Sequence, residues 1–368
     1  MNVSLAYGQG QLPVEFPAER TTVINPSFRA GLPDERASVI AALDGPVEAP
    51  PLREWLKPGA RICILFTDIT RATPNDRIIP WLLEYLELAG VRREQITLLN
   101  QLGTHRPNTP AELEKMLTPA VVSRYRVINH EPENHAACVE LGRTRGGTPA
   151  WINREAVEAD VRIVTGFIEP HFFAGFSGGP KGIMPGVAHV ETVMSNHGAD
   201  HIGDPRATFG ICEGNPLWEE LRDIALRAGP SFLLNVTLND HRAITGVFAG
   251  DLIAAHRAGR DFVRSAAMQR VKEPFEVVVT TNSGYPLDMN LYQGVKGMSA
   301  AARIVAEGGT IILAAECREG VPAKSPLDQL LREARSSEEI LTMLATPGFV
   351  RPEQWQAQIQ ALIQRRAR

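Results

Sequence analysis

Along the chain, short uninterrupted apolar runs alternate with stretches whose apolar positions recur every three or four residues, the pattern of strands alternating with helices. RICILF, beginning at Arg61, predicts a buried strand that runs into the polar turn TDITRATPND. From Arg77, RIIPWLLEYLELAG has helical spacing and a stop at Gly90. QITLLNQLG predicts the next strand and ends in THRPNTP; the helix AELEKML follows, with Thr109 placed to cap it and Pro110 in its first turn. VRIVTGFIEPH repeats the theme, a strand delivering a loop dense in glycine, proline and aromatic residues. Three strands thus carry polar or glycine-rich loops at their C-terminal ends, where open α/β sheets form their ligand crevices.

A second cycle of strand, loop, helix and strand starts in PFEVVVTTNSGYPLDMNLYQGVKGMSAAARIVAEGGTIILAAE, and the helical text DLIAAHRAGRDFVRSAAMQR fills the junction before it. The pattern predicts an α/β protein of two domains, each an alternating strand-helix sheet, with residues 1–265 in the first and 266–368 in the second. The helix-like PEQWQAQIQALIQRRAR ends the chain with no capping glycine after it.

Composition narrows the function. A formal charge of −4, with no basic cluster longer than the terminal Arg365, Arg366 and Arg368, excludes the footprint of a nucleic-acid binder. No run approaches the ~18 apolar residues of a membrane span, and MNVSLAYGQGQLPVEFP has neither a basic nor an apolar leader segment. A cytoplasmic protein acting on a small molecule, with no nucleic-acid or membrane partner, is the expectation. Cys63, Cys138, Cys212 and Cys317 are scattered without a C-x-x-C pair and read as small apolar residues.

The candidate chemistry lies on the three strand-end loops. GFIEPHFFAGFSGGPKGIMPG, residues 166–186, is not a phosphate-binding P-loop, because Pro180 precedes Lys181 and Gly182 follows it; no G-x-G-x-x-G follows a strand either. What remains is a backbone in which Gly175, Gly178, Gly179 and Gly182 permit positive φ and close approach of a flat or anionic group, with Lys181 in its middle. His171 and His197 bring proton transfer or metal ligation within reach. TDITR adds Asp68 and the carboxylate- or phosphate-binding fork of Arg71, and GTHR adds His105 beside Arg106. By contrast His130 and His135, in NHEPENH, are expected in a solvated loop. His189 and His201 flank His197 as possible supporting partners, and Phe172, Phe173 and Phe176 read as packing or pocket wall.

TDITR, GTHR, PHFFAGFSGGPKGIMPG, His197 and YQGVKG together resemble, in order and spacing over roughly residues 60 to 300, the motifs of the lactate racemase family. The resemblance implies an isomerase that racemises or epimerises 2-hydroxy acids, lactate or another, by reversible hydride transfer, with its active site in the cleft between two domains. It implies a nickel-pincer nucleotide, a pyridinium-3,5-bisthiocarboxylic acid mononucleotide holding nickel, joined covalently to Lys181 and made by cofactor maturation proteins. Lys181, Asp68, Gly178 and Gly179 would bind this cofactor, His197 would ligate the metal, and His105 and His171 would be the paired acid and base. Arg71, Gln293 and Lys296 would hold the substrate carboxylate. Where the family's first loop commonly continues Thr-Arg-Pro, this chain has Ala72 and reaches a proline only at Pro74, and Pro180 stands where relatives often carry a basic residue. The second domain is expected to be shortened at its end relative to the family. Two other readings remain open: a zinc-dependent hydrolase using His105, His171 and His197, opposed by their separation and the lack of an H-E-x-x-H helix, and a non-catalytic nucleotide-binding sensor, which would not need both His105 and His171.

Overall fold

In the computed structural model, which describes residues 1–368, the run Ile62–Phe66 is a strand whose every residue is buried. Burial on both faces is the condition of a parallel strand covered by helices on two sides. Its neighbours, Ile96–Asn100 and Val161–Phe167, run parallel to it. The full sheet has six strands, in the spatial order Ile244–Asp251, Phe232–Leu238, Val161–Phe167, Ile62–Phe66, Ile96–Asn100, Arg126–Asn129. Five are parallel and the edge strand Ile244–Asp251 is antiparallel. Growth of the sheet therefore reverses between its first strand, Ile62–Phe66, and its fourth, Val161–Phe167. At such a switch point the connections leave toward opposite faces and open a crevice at the strands' carboxyl ends.

Local sequence explains the elements that frame this crevice. The helix expected from Arg77 begins at Asn75, where the Asn75 side chain donates to the Thr67 carbonyl (2.9 Å) and ties the helix start to the loop leaving the first strand. It runs to Leu88, and Gly90 beyond it takes a φ of 87°. The helix Pro110–Leu117 has the expected cap: Thr109 accepts from the Glu112 amide and the Glu112 carboxylate accepts from the Thr109 amide, a reciprocal capping box. Ile78, Ile79 and Leu82 pack with Phe66 and Phe232 in the main core. These elements belong to one compact unit, formed by residues 26–196 and 210–268.

The other unit gathers residues 1–25, 197–209 and 269–368. It contains the expected strand-helix-strand cycle, Phe275–Thr281, Leu291–Ala301 and Val305–Ala314, with its two strands parallel. An antiparallel hairpin, Asn2–Tyr7 with Gly10–Glu15, joins it through Asp288, whose carboxylate accepts from the Gly8 amide at 2.7 Å and the Glu316 amide at 3.1 Å. Leu327, Leu330, Ile340, Leu344, Ala357 and Ala361 form a helical core, and the backbone of Arg368 pairs with Gly309 and Ile311.

Both units alternate strands and helices, as the apolar pattern predicted. One expectation is corrected: His130 is fully buried, not solvated. Its Nε2–H donates to the Ala188 carbonyl (2.9 Å) and its Nδ1 accepts from Asn153 (3.1 Å), so the ring is satisfied on both sides in the interior. All four cysteines are free thiols, three of them buried. No helix is long and apolar enough to cross a membrane.

Candidate active site

The loop leaving the first strand at the switch point carries Asp68, and the loop leaving the neighbouring strand Ile96–Asn100 carries His105. Asp68 is 3 % exposed; its Oδ1 accepts from the Thr70 amide (2.9 Å) and hydroxyl (2.6 Å), and its Oδ2 lies 2.5 Å from His105 Nδ1. Burial by itself would raise the Asp68 pKa, but the hydrogen bond and charge of His105, the charge of Arg71 and the Thr70 hydroxyl outweigh it and hold the carboxyl well below the usual range. In the neutral form of His105, an ionised Asp68 accepts the Nδ1 proton and leaves the lone pair on Nε2. The two loops are braced by three asparagines: Asn100 donates to Asn108 (2.8 Å) and Asn129 (2.9 Å), Asn129 donates to the Asn108 carbonyl (3.0 Å), and Asn108 accepts from the Ile69 amide (3.3 Å). Arg106 beside them is committed to Glu112 through two nitrogens. Arg71 is exposed and forms no ion pair, so its fork is open to an anion.

On the other side of the switch point, the chain leaving Val161–Phe167 turns back at once, pairing Pro170–His171 with Gly175–Phe176. Asn215 anchors this hairpin by donating to the carbonyls of Phe173 and Ile211, each at 2.9 Å. His171 Nδ1 accepts from the Ala174 amide (3.3 Å), which puts the proton of the neutral ring on Nε2, the opposite tautomer to His105. The Phe173 ring joins two candidates: His171 stands edge-on to it at 4.5 Å between centroids, and Lys181 Nζ lies 5.6 Å above its centre. Lys181 itself is half-buried on the tight turn Gly179–Gly182.

The glycines of this turn bring the backbone close to neighbouring side chains. Gly178 and Gly179 do take positive φ, 73° and 57°. A Cβ on Gly178 would collide with Asn235, on Gly179 with the His256 ring, and on Gly182 with Gln101 and Val164. Protein therefore fills the space their missing side chains leave. The glycines let the Lys181 turn settle onto the sheet ends, and the Gly179 amide is already spent on Asn235 Oδ1 (2.8 Å).

The remaining candidates belong to the other unit. His197 is buried, with its ring edge-on to Trp355 at 5.3 Å. Trp355 donates to the Tyr292 hydroxyl at 3.3 Å, and Tyr292 precedes Gln293 on the helix Leu291–Ala301. Asn290 caps that helix through the Gln293 amide, and one turn on Lys296 Nζ donates to Gln293 Oε1 (2.7 Å), so Gln293 and Lys296 form one polar pair.

Asn108, Asn215, Asn235, His256 and Gln101 were not singled out from the sequence. The available signal was a polar residue inside an apolar strand run, as in FLLNVTL and QITLLNQ. Candidate metal ligands also cluster at His135, His189 and Glu191, where His189 Nδ1 accepts from the Glu191 amide (3.2 Å), and neither His105 nor His171 takes part.

Comparison with known proteins identifies a family for the chain. Residues 7–210 match the family model for the lactate racemase N-terminal domain, and residues 271–368 that for the lactate racemase C-terminal domain. The chain is 34 % identical to a lactate racemase of Thermoanaerobacterium thermosaccharolyticum over 368 residues, spanning 98 % of this chain and 85 % of that protein. It is 37 % identical to a lactate racemase of Lactiplantibacillus plantarum over 330 residues, 89 % of this chain and 77 % of that one. The solved lactate racemase apoprotein from T. thermosaccharolyticum superposes with a TM-score of 0.92 at 33 % identity, covering all of this chain and 87 % of that one. A protein from Thermotoga maritima shares the fold at a TM-score of 0.68 and 20 % identity, over 91 % of this chain and 84 % of that one.

Proposed function

Because the chain belongs to the lactate racemase family and is an isomerase, we propose that it interconverts the enantiomers of a small 2-hydroxy acid, lactate first among them, using a nickel-pincer nucleotide tethered to Lys181. The observation that carries the reading is the Asp68–His105 pair at the switch point, with His171 and Lys181 gathered around Phe173 on the neighbouring loop. Removing the C–H proton of a 2-hydroxy acid beside its carboxylate is unfavourable, so the carbon is better inverted by passing a hydride out and back. When bound, the cofactor would supply a reversible hydride acceptor for that exchange.

The residues fit such a group. A primary amine on a turn packed against the sheet can carry a covalent acyl-type link, and a half-buried position leaves it reachable. Imidazole and soft sulfur are a natural donor set for nickel, which suits His197, and the sulfurs belong to the cofactor, so free buried thiols are not needed as ligands.

This chain's own groups do the rest. His105 takes the substrate hydroxyl proton at Nε2, and Asp68 stabilises the imidazolium that forms. His171, with its proton on Nε2, is the acid that returns a proton to the hydroxyl oxygen as the opposite enantiomer forms, and the two exchange roles in the reverse direction, which is why two histidines serve one reaction. Arg71, with Gln293 and Lys296, binds the carboxylate and retains the planar 2-oxo acid until the hydride returns. The test is intact-mass and metal analysis of protein co-produced with the maturation proteins, followed by chiral chromatography of each lactate enantiomer. An adduct on Lys181, stoichiometric nickel and convergence to a racemate are expected. An unmodified Lys181 overturns the cofactor reading; loaded protein that racemises no member of a 2-hydroxy-acid panel overturns the activity.

A further inference from the structure

The turn that bears Lys181 is held from beneath by two buried polar residues that no part of the reaction uses. Asn235, on the strand Phe232–Leu238, is fully buried; its Oδ1 accepts from the Gly179 amide (2.8 Å), and its Nδ2 donates to the Leu234 carbonyl (3.1 Å). His256, on the helix Ala254–Ala267, is also fully buried; its Nε2–H donates to the Ser177 carbonyl (2.8 Å), and its Nδ1 has no hydrogen-bond partner. The face of its ring occupies the space a side chain on residue 179 would need. A buried imidazole left with one bare lone pair costs stability that an apolar residue of similar size would avoid. Gly178 and Gly179 both adopt left-handed φ so that the chain can pass this close to the two side chains. The Lys181 amide then closes the turn on the Gly178 carbonyl at 3.2 Å.

We infer that His256 and Asn235 are positioning residues for Lys181, clamping residues 177–179 so that the lysine amine is presented in one place for covalent attachment. The inference rests on the reading of Lys181 as the attachment residue. The clamp requires a neutral ring, with a proton on Nε2 for Ser177 and none on Nδ1, because a protonated Nδ1 would be an unpaired buried donor. Burial first, and then the charge of Arg260, push the His256 pKa down to about 3; Glu213 and the Ser177 carbonyl oppose this and Lys181 adds to it. Neutrality near pH 7 follows.

The experiment compares wild type with His256→Phe, which keeps a ring but no donor, and His256→Gln, which restores an N–H. Asn235→Leu, close in volume and without an acceptor, keeps the comparison decisive if His256→Phe does not fold. Three readouts are taken: circular dichroism and melting temperature; hydrogen exchange of the Gly179 to Gly182 amides in the protein without cofactor; and the fraction of Lys181 carrying the adduct after co-production with the maturation proteins. For His256→Phe and Asn235→Leu we expect a folded protein, exchange in the turn at least tenfold faster, and an adduct fraction at least fivefold lower; His256→Gln should recover part of both. Wild-type exchange and loading in the folded variants would overturn the clamp. Faster exchange with unchanged loading would also overturn it as a positioning device, leaving only a packing role. If wild-type Lys181 carries no adduct, the attachment reading fails instead, and acylation of Lys181 by a small amine-reactive reagent judges the clamp: an unchanged labelling rate in the folded variants overturns it.

Discussion

At Asp68 three donors converge on one buried carboxylate, and the consequence is chemical as well as structural. His105 presents a lone pair only because its other nitrogen is occupied by an acceptor that stays ionised. Replacing Asp68 with Asn keeps the shape but removes the charge that stabilises an imidazolium, and the amide can turn its N–H₂ toward His105 and force the wrong tautomer. Asp68→Asn is therefore expected to lower kcat by roughly 10²-fold or more with KM little changed. Steady-state kinetics on cofactor-loaded protein measure this, and a variant that instead loses the Lys181 adduct would mean Asp68 serves the nucleotide. The residue types of this site were legible in the sequence, since Asp68, His105 and His171 stood on loops after apolar runs. The pairing was not, because Asp68 and His105 are brought together by two separate loops and no local pattern records that contact. Nor was the use of the glycines, whose neighbours Asn235 and His256 arrive from distant strand and helix.

At the scale of elements, the sequence was most readable where the physics is local. The capping box at Thr109 and Glu112 is complete within four residues, and the structure forms both of its hydrogen bonds. Thr109→Ala is expected to cost about 1 kcal/mol and to lower the melting temperature by roughly 2–4 °C, with racemisation and Lys181 loading unchanged. Gly179→Ala is the contrasting case: a single methyl group meets both a left-handed φ and the His256 ring. The left-handed conformation alone costs roughly 1–2 kcal/mol, and the collision must displace the ring or the turn. Differential scanning calorimetry and adduct mapping together distinguish the two. Gly179→Ala should lose Lys181 modification out of proportion to its loss of stability, whereas Thr109→Ala should lose stability alone. Strand order across the sheet lies beyond such local signals, because it is set by which apolar faces cover each other after the helices pack.

For the whole molecule, the polar interior leaves a signature in how stability depends on pH. His130 and His256 are both buried as neutral rings. Burial is the largest cause in each case: it lowers His130 to about 4, opposed by its bond to Ala188 and the charge of Glu131 and assisted by His189, and lowers His256 to about 3 beside Arg260, Glu213 and Lys181. Unfolding returns both to ordinary values near 6.5, so below that pH the unfolded chain binds protons that the native chain refuses. Stability should accordingly be level above about pH 7 and fall between about pH 6.5 and 4, with each ring contributing up to about 1.4 kcal/mol per pH unit. Asp68 acts at lower pH: its folded pKa is depressed, so its contribution is present above the ordinary carboxylate range and is lost as pH falls below that. Urea midpoints measured from pH 7.5 to 4.5 test this, with His130→Gln as the control that should flatten the slope by one ring's share whatever its effect at pH 7.5. A midpoint independent of pH over that range would mean both rings take up protons in the native state. Because His256 underlies the Lys181 turn, the same acid range should release hydrogen exchange in residues 177–182 before the sheet itself opens.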